Sequence, residues 1–186
     1  MSAVIARSPF EPLVWGNGKK LFEIFLEPTC PFSARTFFKL DDFLSEERSE
    51  NIALRIWLHS QPWHVFSGIL CRVILGASMQ KNGKSAAKAV MGAIFANKEE
   101  FELHEHRTGP LLFETPMQLI EKIEKITDLS LADDFQSLEI DAEIKRHTKY
   151  SRQNGIHSSP TFMIDGLVNS NISSGDPIEK WLREIN

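Results

Sequence analysis

Cysteine is scarce in this chain: Cys30 and Cys71 are the only two among 186 residues. Two cannot build the disulfide framework of a stapled secreted scaffold. Basic charge is also in short supply. Lys and Arg number 21 against 25 Asp and Glu, a formal charge of −4. With no basic run either, a general phosphate-binding surface is not expected, because that needs a basic excess. No apolar run approaches the length of a membrane span. The stretch from Met1 to Gly18 contains Arg7, Pro9, Glu11 and Pro12 and has no signal-peptide core. The expectation is a cytoplasmic chain whose thiols stay reduced. No nucleotide-binding glycine fingerprint, internal repeat or low-complexity tract is found.

What is present is ample apolar material, 42% of the residues, enough for one sizeable core over residues 1–186. Leu21 to Leu26 is short, apolar and aromatic-rich, and reads as a buried strand. Pro28 closes it, and Pro31 suits the first turn of a helix with Phe37, Phe38, Leu40 and Leu44 on its apolar side. Ile52 to Leu58 is a second buried strand, so the three elements form a βαβ unit, expected parallel and right-handed. Phe66, Ile69, Leu70, Val73 and Ile74 then fall on one helical face. Further helices are expected over Lys84 to Asn97, around Leu119 to Ile126, and from Phe135 to Arg152, where Ile140, Ile144 and His147 fall in helical spacing. Residues 62–154 thus read as an all-helical insertion within one domain. Strands return at Thr161 to Ile164, with Asp165-Gly166 as a two-residue hairpin turn. Asp176-Pro177-Ile178-Glu179 has the form of a capping box before a last helix.

Cys30 stands just after a buried strand and at the mouth of a helix. Unpaired N–H groups and the positive end of the helix dipole favour an anion there, and a thiolate is one. The thiolate is the nucleophile of disulfide exchange. Ser159-Pro160 is the second signal, since a proline opening a strand needs an edge or a special turn.

A strand, Cys-Pro-x-x, a helix, a long helical insertion and then Gly155-Ile156-His157-Ser158-Ser159-Pro160-Thr161-Phe162 resembles the DsbA-like branch of the thioredoxin superfamily. The resemblance runs from about Leu13 to the end. It implies an α/β thioredoxin fold in which Pro160 is a cis-proline beside Cys30, in a loop that pairs with a bound thiol substrate. The chain departs from the dithiol members at Ser33, where they carry a second cysteine. A hydroxyl can hydrogen-bond the Cys30 thiolate but cannot resolve a mixed disulfide. One-thiol exchange remains, using Cys30 with an external thiol such as glutathione. Cys30-Pro31-Phe32-Ser33 also resembles the Cys-Gly-Phe-Ser of monothiol glutaredoxins. Two other readings stay open: a non-catalytic peptide- or protein-binding module, and a glutathione transferase or isomerase of the kappa-class type.

The expected site is therefore Cys30 and Ser33, with Pro31, Phe32, Ser159, Pro160 and His157 on the substrate side. Its expected partner is a thiol- or disulfide-containing peptide or protein, or glutathione as co-substrate, with no bound cofactor. Phe32 reads as exposed, Trp63 as surface or core, and His64 as a further candidate to line the site. Cys71, among Ile69, Leu70, Val73 and Ile74, reads as core packing. His104 and His106 diverge if they lie two apart on a helix, and no third ligand is evident, so no metal is expected.

Overall fold

The computed structural model describes residues 10–186. Residues 1–9, part of the stretch read above as lacking a signal-peptide core, lie outside it. Strands β1 (Val14–Trp15), β2 (Lys20–Leu26), β3 (Ile52–Leu58), β4 (Thr161–Ile164) and β5 (Leu167–Val168) form one sheet in the order β1-β3-β2-β4-β5. β2 is central. It pairs parallel with β3, Ile24 opposite Ile56, and antiparallel with β4, Ile24 opposite Phe162. Gly18 lets the chain enter β2, because a Cβ there would lie only 1.8 Å from the Asn51 backbone. The turn between β4 and β5 places Asp165 at φ 47° and Gly166 at φ 84°. Both central residues are left-handed, which suits the right-handed twist of a hairpin.

Both sheet faces are covered, so β2 reads as a continuous apolar run. Phe22, Ile24 and Leu26 join the main core, where Phe22 meets Phe43, Phe162 and Trp181 with ring centroids 5.5 to 6.2 Å apart. Phe25 and Glu23 point the other way. There Phe25, Trp57, Ile156 and Met163 make a second, smaller core, with Tyr150 packed against it. The buried Glu23 carboxylate is well partnered: Trp57 Nε1 donates to it at 2.8 Å and the Tyr150 hydroxyl at 2.9 Å. Burial and that carboxylate push the Tyr150 phenol up to about 12.

Between β3 and β4 run helices α3 (Ser67–Ala77), α4 (Gly83–Ala96), α5 (Pro116–Thr127), α6 (Ala132–Phe135) and α7 (Glu139–Gln153), joined by turns and short 3₁₀ segments. No helix among the described residues is long and apolar enough to cross a membrane. The main core continues from the sheet into α3, α4 and α5 through Leu70, Ile74, Val90, Ile94 and Ile120. α7 covers the opposite face and is tied down by His147, whose Nδ1 accepts from the Leu58 N–H at 2.9 Å.

Three details differ from the sequence expectations. The helix after Cys30 is broken into α1 (Pro31–Phe37) and α2 (Leu40–Ser45). Lys39 sits at the break and donates to the Ser174 and Asp176 carbonyls, while Phe38 is 54% exposed and not on the core side. Phe135 belongs to α6, and the long helix begins only at Glu139. Asp176 does not cap the last helix, α8 (Ile178–Ile185). Its carboxylate instead accepts from the Ser173 N–H and hydroxyl and pairs with Lys180, leaving Pro177 at the helix entry without a side-chain cap.

Candidate active site

β2 delivers the chain to Cys30 through Glu27, Pro28 and Thr29. Cys30 has extended backbone (φ −69°, ψ 124°) at the N-cap of α1, and Pro31 opens the helix, where a missing N–H costs nothing. The Cys30 residue is 7% exposed. Its thiol donates to the Ser159 carbonyl at 3.5 Å, a bond spanning 129 residues of sequence. The Ser159–Pro160 peptide is cis. The loop is held from both sides: Thr161 Oγ1 donates to the Ser158 carbonyl at 2.8 Å, and Gln61 Nε2 to the His157 carbonyl at 3.2 Å. Cys30, Pro31, Ser159 and Pro160 are thus brought together.

Ser33 has a different role from the one expected. Its hydroxyl is fully buried and accepts from the Glu27 N–H at 3.1 Å, tying α1 to the end of β2. The hydrogen bond of the Cys30 thiol goes to Ser159. One turn into the helix, the Ser33 side chain faces the core side of the junction, which is why it meets the strand end. Cys71 lies on α3 in the main core. Burial, with the nearby Glu27 carboxylate, pushes its thiol far above the ordinary range.

Sequence reasoning missed the polar groups behind Cys30. Glu27 is fully buried; its Oε2 accepts from the Thr29 N–H at 2.8 Å and hydroxyl at 2.9 Å, while its Oε1 has no hydrogen-bond partner among the described residues. Burial raises its carboxyl pKa, opposed by Ser67, His64 and Thr29. The signal was there in the sequence, an acid at the end of an apolar strand close to the cysteine. His64 does reach the site: its Nδ1 is 2.7 Å from Thr29 Oγ1 and 3.8 Å from Glu27 Oε2.

Phe32, in the turn after Cys30, and Trp63 and Val65, on either side of His64, are each about half exposed. Trp63 therefore belongs to the surface. Arg35 lies over the Phe32 ring at 5.8 Å. His157 is exposed, and its backbone carbonyl is what the structure engages. Beside it, a cavity of about 430 Å³ is lined by His59, Gln61, Trp63, Arg152 and His157, among others. Burial, then the nearby His157, lowers the pKa of His59.

A thiol at a helix entry, facing a carbonyl of a cis-proline loop, is the arrangement of the thioredoxin fold. Comparison with solved structures agrees: the chain belongs to the DsbA-like thioredoxin-fold family. A candidate protein-disulfide isomerase from Pseudomonas syringae is 53% identical, with a TM-score of 0.92 over 95% of this chain and 98% of that one. Pseudomonas aeruginosa DsbA2 superposes with a TM-score of 0.63 at 18% identity, over 91% of this chain and 90% of its own. Chlamydia trachomatis DsbA gives 0.65 at 15% identity, over 95% and 93%. These two show the fold alone. No protein-family model matches the chain, and no curated protein does.

Proposed function

We propose that the chain performs one-thiol disulfide exchange at Cys30, with glutathione or a similar small thiol as the resolving partner. The observation that carries this is the placement of Cys30 against the Ser159 carbonyl with Ser33, not a second cysteine, one turn into the helix. Cys71, sealed in the core, supports the same reading. The Cys30 thiolate attacks one sulfur of a substrate disulfide, forming a mixed disulfide and expelling the other sulfur as a thiolate. An incoming thiolate then attacks the mixed disulfide at the substrate sulfur or at Cys30, and the displaced sulfur carries away the electron pair. Each round exchanges partners and consumes no oxidant. The half-exposed Phe32, Trp63 and Val65 offer apolar contacts to a peptide laid along the 158–160 loop. Extended main chain in that position could bond the loop's backbone, and these apolar residues would select its side chains.

Incubation with oxidised glutathione followed by intact-mass measurement tests the proposal. A single glutathione adduct, mapped to Cys30 and lost in Cys30→Ala, is expected. Noncovalent glutathione binding that survives Cys30→Ala would replace exchange by the transferase reading. No adduct and no binding would leave a peptide-binding module.

A further inference from the structure

The site chemistry above leaves one cluster unused. His64, Glu102 and His106 converge from two separate stretches of the sequence, and their ligand atoms lie within 4.8 Å of one another. We propose that they form a mononuclear site for a zinc-class divalent cation on the flank of the thiol centre.

The donor set is two imidazoles and one carboxylate, a combination that holds zinc in catalytic sites while leaving a coordination position open. The spacing agrees. Four-coordinate zinc with bonds of about 2.0–2.1 Å sets its ligand atoms roughly 3.3 Å apart. Here Glu102 Oε1 is 3.0 Å from His106 Nδ1 and 3.4 Å from His64 Nδ1. The two imidazole rings are 4.6 Å apart at their centroids and steeply inclined, at 72°. Both nitrogens therefore face the same carboxylate oxygen. The other oxygen, Oε2, is engaged by Lys98 at 3.5 Å, which leaves Oε1 to the imidazoles.

The surroundings position these groups. His64 is 8% exposed at its side chain and Glu102 16%, while His106 is 45% exposed and closes the site from outside. His106 gets there through a tight loop. His104 and Thr108 exchange backbone hydrogen bonds at its base, and Glu105 and His106 take left-handed φ values of 50° and 62°. His104 is thereby fixed at the loop base, so the pair that sequence spacing suggested is not the pair that converges. A cavity of about 370 Å³ is bordered by Glu102 and His106.

Loading this site has a consequence for Thr29, the residue before Cys30. His64 Nδ1 is 2.7 Å from Thr29 Oγ1. When Nδ1 takes the ion, the ring proton stands on Nε2, and the Thr29 hydrogen bond is exchanged for a metal bond.

Cobalt(II) is the spectroscopic probe, with zinc as competitor. The full-length protein should take up one equivalent of cobalt, giving visible d–d bands without a thiolate charge-transfer band, and zinc should displace it. Cys30→Ala should leave uptake unchanged. His106→Ala and Glu102→Gln should each weaken binding by at least about tenfold, since even outer-shell losses cost that much. His106 is exposed enough that its variant should fold, and far-UV circular dichroism checks both. The proposal is overturned if cobalt and zinc show no saturable uptake. It is equally overturned if uptake survives both variants unchanged, or if a thiolate band appears and is lost in Cys30→Ala.

Discussion

Ser33 gives a perturbation whose size follows from one hydrogen bond. Its hydroxyl accepts from the buried Glu27 N–H at 3.1 Å. Ser33→Ala leaves that donor unsatisfied, which costs about 1–3 kcal/mol. At roughly 2–4 °C per kcal/mol for a domain of this size, Tm should fall by about 2–12 °C. Ser33→Cys should cost a similar amount when reduced, because a thiol is a weak acceptor. Only the cysteine variant, however, gains a second sulfur. Positions 30 and 33 straddle the first turn of α1, so their side chains can share a face. Disulfide formation needs Cα atoms within about 7 Å, which such a turn provides. Thermal melts under reducing conditions measure the shared loss. Thiol counts after mild oxidation, followed by oxidation of a reduced test peptide, measure the gain unique to cysteine. The variant should lose two thiols and oxidise the peptide, while wild type and Ser33→Ala do neither. An alanine variant as stable as wild type would show that Ser33 does not hold the junction. A cysteine variant that keeps every thiol would show that Cys30 is not paired with position 33 in the way described.

Other expectations follow from the buried groups. In the native protein Cys71 should resist alkylation while Cys30 reacts, because Cys71 is sealed in the core and its thiol is pushed far up; peptide mapping after timed iodoacetamide decides it, and equal rates would contradict the packing. Glu27→Gln should stabilise the fold by about 1 kcal/mol at neutral pH, since it removes an incompletely partnered buried charge. Glu27 has a raised folded pKa, so its cost to stability appears above its unfolded value of 4.5; the gain, read from denaturant midpoints, should fade by about pH 4. His147 runs the other way: burial lowers its pKa, and its Nδ1 must stay unprotonated to accept from Leu58. Its contribution is complete above the unfolded value of about 6.5 and is lost as pH falls toward the folded one, so between about pH 7.5 and 5.5 wild type should lose more stability than His147→Gln. Burial opposes ionisation of Glu143, but Arg146 and His147 outweigh it and hold its carboxyl at about 2; a further loss in wild type should therefore appear between about pH 4.5 and 2 and be reduced in Glu143→Gln.

Strands β2 to β5 were legible because they are short apolar runs marked off by Pro28 and the Asp165-Gly166 turn, and both long strands appear where expected; the two-residue β1 carries no such signal and was not read. That Cys30 and the Ser159-Pro160 loop would lie together came from the family resemblance, and the structure brings the two into contact. What sequence could not show was direction. Ser33 lies three residues from Cys30, yet its hydroxyl turns inward to Glu27, because the core side of α1 faces the end of β2. The helix break at Lys39 was hidden for a similar reason: its cause is a pair of carbonyls, those of Ser174 and Asp176, far away in the chain. His64 is separated from Glu102 and His106 by a helix pair, and no local spacing announces that the three meet.

The bond between Cys30 and Ser159 also has a temporal meaning. The two residues are 129 positions apart, and everything between them must be made before they can touch. At about 5–20 residues per second, a ribosome needs roughly 6–26 s to cover that interval. Throughout that period the sulfur exists without its opposing carbonyl, and the nascent chain carries a thiol that the finished fold shelters. Substrate-facing geometry, which depends on both sides of this contact, is therefore acquired only once β4 has been made and docks beside β2.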